Sequence, residues 1–243
     1  MIKPLPFPGE PSELHLRIVY TDTLSDTPDA DTLEEWSVEI LHRSQEHDGS
    51  RCPAAPGACN AEDCPAYTVS DSAAGSMTFF RVHLDRGRNA YAATEEASED
   101  LYEIAQALLD PATGYYTDEV GELLEYSGSA LLVMDRVTLH EEWRGRGLGM
   151  ILASEAIFRL TPGCRAVVCA PGVSDLSADR LRNEAEWDRV TAKIARGWEQ
   201  LGFLPYRGNV FVLSPTSLVL EEQRGQLRQR LVELAAAWAA ARA

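Results

Sequence analysis

Apolar and polar residues alternate over three stretches of the first third of the chain. Leu14-His15-Leu16-Arg17-Ile18-Val19-Tyr20 reads as an edge strand, and Trp36 to His42 sets Trp36, Val38 and Ile40 on one side. Ser76 to Leu84 reads as a third strand, closed by the turn formers Asp85-Arg86-Gly87-Arg88-Asn89. Residues 22–35 read as loop or a short helix. Residues 44–75 carry turn formers throughout and few apolar residues, which predicts a mobile loop. The period then becomes helical. Leu101, Ile104, Ala105 and Leu108 share one face of a helix over 95–109, with Thr94 at its N-terminus and Asp110-Pro111 as its stop. A short helix over 117–126 ends at Ser127-Gly128.

The second half has a sharper pattern. Ala130 to Leu139 is a strand whose Leu131-Leu132-Val133-Met134 run is apolar on both faces, as a central strand covered by helices would be. A helix over 147–160 follows, stopped by Thr161-Pro162-Gly163, with Glu155 and Arg159 in the favourable order for an ion pair. Residues 165–170 form a strand and 171–186 a polar insertion. Trp187, Val190, Ile194, Trp198 and Leu201 fall at helical spacing before Gly202, and Asn209 to Ser214 is a last strand. After Pro215 a long helix carries a seam of Leu227, Leu231, Leu234 and Trp238, which packs on the domain or on another chain. Alternating strands and helices predict an α/β class, and 243 residues suit one enlarged domain.

Charge narrows the partners. A formal net charge of −16 repels phosphate backbones, which argues against nucleic acid. It leaves room for a cationic acceptor such as an amine, and it also serves simple solubility. The start, Met1 to Pro8, has prolines and no apolar h-region, and no apolar run is long enough to span a bilayer. The expectation is a cytoplasmic protein without membrane contact. Of five cysteines, Cys164 and Cys169 flank a strand and read as small core residues. Cys52, Cys59 and Cys64 lie in the 44–75 stretch without a CxxC pair. His42 and His47 upstream would complete a four-ligand set, but the spacing favours thiols in a reducing compartment, and no metal is expected.

The candidate chemistry lies at Val137-Thr138-Leu139-His140-Glu141-Glu142-Trp143-Arg144-Gly145-Arg146-Gly147-Leu148-Gly149-Met150. A strand enters a short loop whose glycines open a helix. The first-turn N–H groups and the helix dipole favour an anion such as a pyrophosphate. Gly147 and Gly149 would let backbone approach phosphates without a Cβ between, and Arg144 and Arg146 add positive charge. A Walker A Lys-Ser/Thr is absent, and Gly145-x-Gly147-x-Gly149 is not the dinucleotide fingerprint. The same unit also arises from tight helix–strand packing alone.

The stretch resembles motif A of the GNAT (Gcn5-related N-acetyltransferase) superfamily, Q/R-x-x-G-x-G/A after a strand, with Arg144, Gly147 and Gly149 at the matching positions. Trp198-Glu199-Gln200-Leu201-Gly202-Phe203 is similar to the aromatic-x-x-x-Gly-Phe ending of that family's next helix. The resemblance covers roughly residues 129–214 and implies a mixed central sheet flanked by helices. Residues 1–128 would then be a divergent acceptor-side half and 215–243 an added C-terminal helix.

The resemblance further implies acetyl-CoA as co-substrate. Backbone groups of Val137 and Leu139, beside Thr138, would run along pantetheine, and amides from Gly145 through Arg146, Gly147, Leu148 and Gly149 to Met150 would hold the pyrophosphate. The thioester would lie where the central strand splays from its neighbour. Homodimers are common in the family.

A base for the amine is sought in Asp135, which strand alternation puts on the face of Val137 and Leu139. His140 offers an imidazole as another candidate but sits in a loop. The tyrosine that often acts as acid in the family is Trp198 here, and its usual asparagine companion is Thr191, so Tyr206 is the replacement acid. The expected function is acetyl transfer from acetyl-CoA to an amine of a small molecule or peptide. The alternatives are a non-catalytic acyl-CoA-binding module and an interaction protein on the same fold.

Overall fold

The computed structural model describes residues 7–22, 29–48, 50–52, 64–171 and 184–242, with backbone alone for 184–188. Seven strands form one open sheet: β1 (Leu14–Tyr20), β2 (Leu33–His47), β3 (Tyr67–His83), β4 (Ala130–Leu139), β5 (Cys164–Cys169), β6 (Leu204–Arg207) and β7 (Val210–Leu213). Their spatial order is β1-β2-β3-β4-β5-β7-β6. Among the described strands β4–β5 is the parallel pair, and the others run antiparallel. The helices are α1 (Ala90–Ala97), α2 (Glu99–Leu108), α3 (Asp118–Leu123), α4 (Leu148–Leu160), α5 (Glu184–Gln200) and α6 (Leu218–Ala240). The protein is therefore mixed α/β, with three strands ahead of the first helices. Among the described residues no helix is long and apolar enough to cross a membrane.

Each face of the sheet buries its own core. One face joins Val38, Ile40, Phe79, Leu132, Met134 and Val167 to Ile151, Ile157 and Leu201, under α4, α5 and α6. The other joins Val82, Leu131, Val133 and Val168 to Leu101, Ile104 and Leu108, under α1, α2 and α3. Successive residues of β4 thus serve opposite cores, which is why its first half is apolar throughout.

The seam of α6 lies on this domain, with Leu227, Leu231, Leu234 and Trp238 packed against the first core. Glu155 does not pair along its own helix with Arg159. It accepts from Arg224 (2.8 Å) and Arg228 (2.6 Å) of α6 instead, because two forked guanidiniums reach it with better geometry than one i,i+4 neighbour. Its burial would raise its pKa, yet the bonds from Arg228 and Arg224 outweigh that and hold it at about 2.

Several sequence boundaries move. The single helix predicted over 95–109 is two, because Ser98 takes an extended conformation and caps Leu101 N–H, starting α2 afresh. Asn89, not Thr94, caps α1, and Thr94 turns its hydroxyl back onto the Ala90 carbonyl (2.9 Å). The loop predicted over 44–75 is too long: residues 44–47 and 67–75 continue β2 and β3 as a ladder. Most side chains there are polar or small, with Tyr67 and Val69 the large apolar ones, so no apolar alternation marked it. β6 escaped notice because only four residues precede the Gly208-Asn209 turn. The 171–186 insertion and Cys59 fall largely or wholly outside the described residues.

Candidate functional site

The central strand changes character at Asp135. On the β3 side the register passes from Phe79↔Met134 to Thr78↔Arg136, so Asp135 is the extra residue of a β-bulge. On the β5 side pairing ends at Met134↔Cys169, while β4 runs on to Leu139. The two parallel strands therefore part where the bulge bends β4. The bulge also shifts the alternation by one residue. Ala130, Leu132 and Met134 face the α4 core before it, and Val137 and Leu139 face that core after it.

Asp135 consequently does not share a face with Val137 and Leu139, as simple alternation predicts. The charges it senses are Arg136, Asp100 of α2 and Glu35 of β2, and α2 lies on the opposite side of the sheet. Burial raises its pKa, Asp100 and Glu35 add to the rise, and Arg136 opposes it. A half-buried carboxyl of this kind holds its proton closer to neutral pH than a surface one.

Past Leu139, a 3-10 turn over Glu141–Trp143 leads into the glycine loop. Gly145 (φ 84°) and Gly147 (φ 83°) are both left-handed, a conformation that costs L-residues with a Cβ. Gly147 stands at the N-cap of α4 and brings no side chain to the first turn. A Cβ at Gly145 would meet nothing within 4 Å. At Gly147 it would approach only Met150 Cε, and at Gly149 only Leu139 Cδ1, each at 3.9 Å. Tight packing therefore explains none of the three. Conformation explains Gly145 and Gly147, and neither accounts for Gly149. A glycine inside a helix costs up to about 1 kcal/mol against alanine.

The two arginines serve the loop differently from the simple expectation of free positive charge. Arg144 Nε donates to the Leu139 carbonyl (2.5 Å), which ties the loop back to the strand end. Arg146 lies over the Phe7 ring, 4.1 Å from its centroid. Phe7 stacks on buried Trp143 (5.6 Å), and its carbonyl accepts from Trp238 Nε1 (3.1 Å). The segment from Phe7 thus straps the loop to α6. Sequence patterns gave no sign of this, since Phe7 lies in a proline-rich stretch with no period. Gly75 was also missed. A Cβ there would fall 2.2 Å from the Thr138 carbonyl oxygen, so β3 crosses the end of β4 at backbone contact. His140 donates its backbone N–H to the Ala74 carbonyl (2.8 Å) at the same crossing, and its ring is half-exposed.

Met150, in the first turn of α4, packs against α5, where a Cβ on Gly197 would fall 3.2 Å from its sulfur. Next to Gly197, Trp198 packs on the first core with Phe203 edge-on at 6.4 Å. That is a packing role. Tyr206 stands on β6, and β5 and β7 separate that strand from β4. At about 4.8 Å per strand, two steps beyond β5 put it roughly 10 Å from the place where β4 and β5 part. Burial raises its pKa, and its neighbours there are Arg207, Glu119 and Thr117. Asp135 and Tyr206 are not brought together, because strand order interposes two strands that a sequence pattern does not reveal.

Comparison of the chain with protein-family models, curated proteins and solved structures found no match.

Proposed function

We propose that the protein binds acetyl-CoA along the second half of β4 and transfers its acetyl group to an amine. The observation that carries this reading is the set of three glycines at the start of α4, none of them required by packing. An uncapped helix N-terminus with no Cβ above its first turn accepts a pyrophosphate closely. The parting of β4 from β5 one strand-length upstream leaves a place for the extended pantetheine and its thioester.

In the proposed reaction the amine nitrogen attacks the thioester carbonyl, a C–N bond forms and the C–S bond breaks. Asp135 takes the proton lost by the amine, directly or through water, from the α2 side of the sheet. Its burial suits that role, since a base works best with a pKa near the working pH. The coenzyme thiolate leaves and is protonated from solvent. Neither Trp198, packed against the core, nor Tyr206, two strands from β5, is disposed to supply that proton.

That neither of these two residues is placed as an acid supports a second reading, a non-catalytic acyl-CoA-binding module. Calorimetric titration of acetyl-CoA into the protein, with Gly147→Trp as control, tests both. Micromolar binding that the variant loses supports the site, and thiol release with a panel of amines then separates enzyme from module. Absence of binding to the intact protein overturns both and leaves an interaction protein.

A further inference from the structure

β2 and β3 outrun their neighbours. β1 reaches only to the pair Leu14↔His42, and β4 only to Gly75↔Leu139. Beyond them Arg43–His47 and Tyr67–Asp71 pair with each other alone, as a two-stranded arm. Its side chains are largely exposed and polar, with Ser44 facing Ser70 (2.8 Å between hydroxyls) and Arg43 facing Asp71 (3.4 Å). A lone two-stranded ribbon is marginal in water. This one also has to close a long connection, 48–66, and among its described residues none joins either core cluster.

Three soft donors converge at that tip. His47 ends β2, Cys52 follows the turn, and Cys64 stands just before β3. Cys64 Sγ lies 3.6 Å from His47 Nε2 and 3.6 Å from Cys52 Sγ. All three donor atoms lie within 4.8 Å of one another. In a tetrahedral zinc site, Zn–S near 2.3 Å and Zn–N near 2.05 Å put S···S at about 3.8 Å and S···N at about 3.6 Å. The sulfurs are well beyond the roughly 2.05 Å of a disulfide. Backbone bonds hold the donors in place: Asp48 N–H to Ala66 O (3.0 Å), Arg51 N–H to Asp48 O (2.9 Å) and Tyr67 N–H to Cys64 O (3.1 Å). The His47 ring is steadied against Tyr67, 4.5 Å between centroids.

We infer that His47 Nε2, Cys52 Sγ and Cys64 Sγ bind a zinc ion that clasps the tip of the β2–β3 arm. This reverses the expectation from spacing that no metal is bound. Two thiolates and an imidazole select zinc over hard cations. Each thiol gives its proton to solvent on binding, and His47 binds as the neutral ring. Water or a further donor completes the tetrahedron. Of the two histidines that the sequence offered, His42 is excluded. It lies beneath Gly9 and against Trp143 (5.2 Å between ring centroids). Cys59 lies outside the described residues. The metal's role is structural: it closes loops of 12 and 17 residues at once, which removes entropy from the unfolded arm.

The test is metal analysis of the full chain, purified with a reductant and without chelator. The expected result is one zinc per chain, lost in both Cys52→Ser and Cys64→Ser and kept in Cys169→Ala. A chelator should lower the melting temperature of the intact protein and leave that of the Cys52→Ser variant unchanged. Cobalt replacement keeps the test open if the variants do not fold. The intact protein should then show thiolate-to-cobalt charge transfer and strong tetrahedral visible bands. Reduced protein that takes up no zinc after incubation with zinc chloride overturns the proposal. So does zinc retained by Cys52→Ser and Cys64→Ser, or a cobalt spectrum without the thiolate band.

Discussion

The two halves of β4 are built by different rules. From Ala130 to Met134 the strand is buried on both faces and bonded to β3 and β5 at both edges. From Asp135 to Leu139 it opens with a bulge, has left β5 behind, and alternates the polar, more exposed Asp135, Arg136 and Thr138 with Val137 and Leu139, which still reach the α4 core. Apolar burial accounts for every residue of the first half. In the second half and the turn beyond it, backbone shape is tightly specified while packing leaves room. A stretch that demands shape without using it for packing is where a ligand is to be sought.

Substitutions should separate the halves. The largest effect belongs to Leu132→Ala, at a fully buried site of the first half. The lost transfer energy and residual cavity together should cost about 2–5 kcal/mol, read from urea unfolding. Acetyl-CoA affinity of the folded fraction should stay unchanged. A tenfold loss of affinity would show that the halves are not independent.

Gly75→Ala comes next. Its Cβ would meet the Thr138 carbonyl at 2.2 Å and the Leu139 Cα at 2.9 Å, both backbone, so β3 must move away. A cost of about 1–3 kcal/mol is expected for such overpacking. Amide exchange should quicken at Val137 to His140 and stay as it was at Leu131 to Val133. Uniform quickening along β4 would contradict a division at the bulge.

How much of this could be read beforehand follows from the same division. The doubly buried run Leu131 to Met134, the period of α4 and the glycine turn all leave marks on the sequence, because burial and left-handed backbone restrict residue type. The bulge left none: Asp135-Arg136-Val137-Thr138-Leu139 reads equally well as unbroken alternation, and only the paired strand shows which residue is extra. The position of Tyr206 was hidden for a related reason, since strand order is a long-range property. The polar ladder of the β2–β3 arm lacks an apolar face, so it read as loop. Its cysteines were visible, but their convergence with His47 depends on the hairpin register that places His47 opposite Tyr67.

Gly147→Val probes the turn itself. A β-branched residue at φ 83° should cost about 1–2 kcal/mol of stability. Acetyl-CoA affinity should fall at least tenfold, because the turn must rearrange. Equal affinity in the variant would mean that this backbone does not hold the ligand.

The smallest effect on stability, and the most telling for mechanism, is expected of Asp135→Asn. Burial raises the folded-state pKa of Asp135 above its unfolded value, so the folded protein holds the proton more tightly. Its contribution is therefore most favourable at low pH. It declines as pH rises from the unfolded carboxylate pKa, about 3.9, through the raised folded value. Asparagine cannot ionise and removes that decline. The variant should match the parent near the acid end of this window and be slightly more stable at neutral pH, as urea midpoints at the two pH values would show. If Asp135 is the base, transfer to the amine should meanwhile fall by about 10²-fold or more, and the acid limb of the pH–rate profile should vanish. Acetyl-CoA affinity should be unaltered. A variant that gains stability and keeps its rate would leave the bulge in place as a structural feature and take the base away from it.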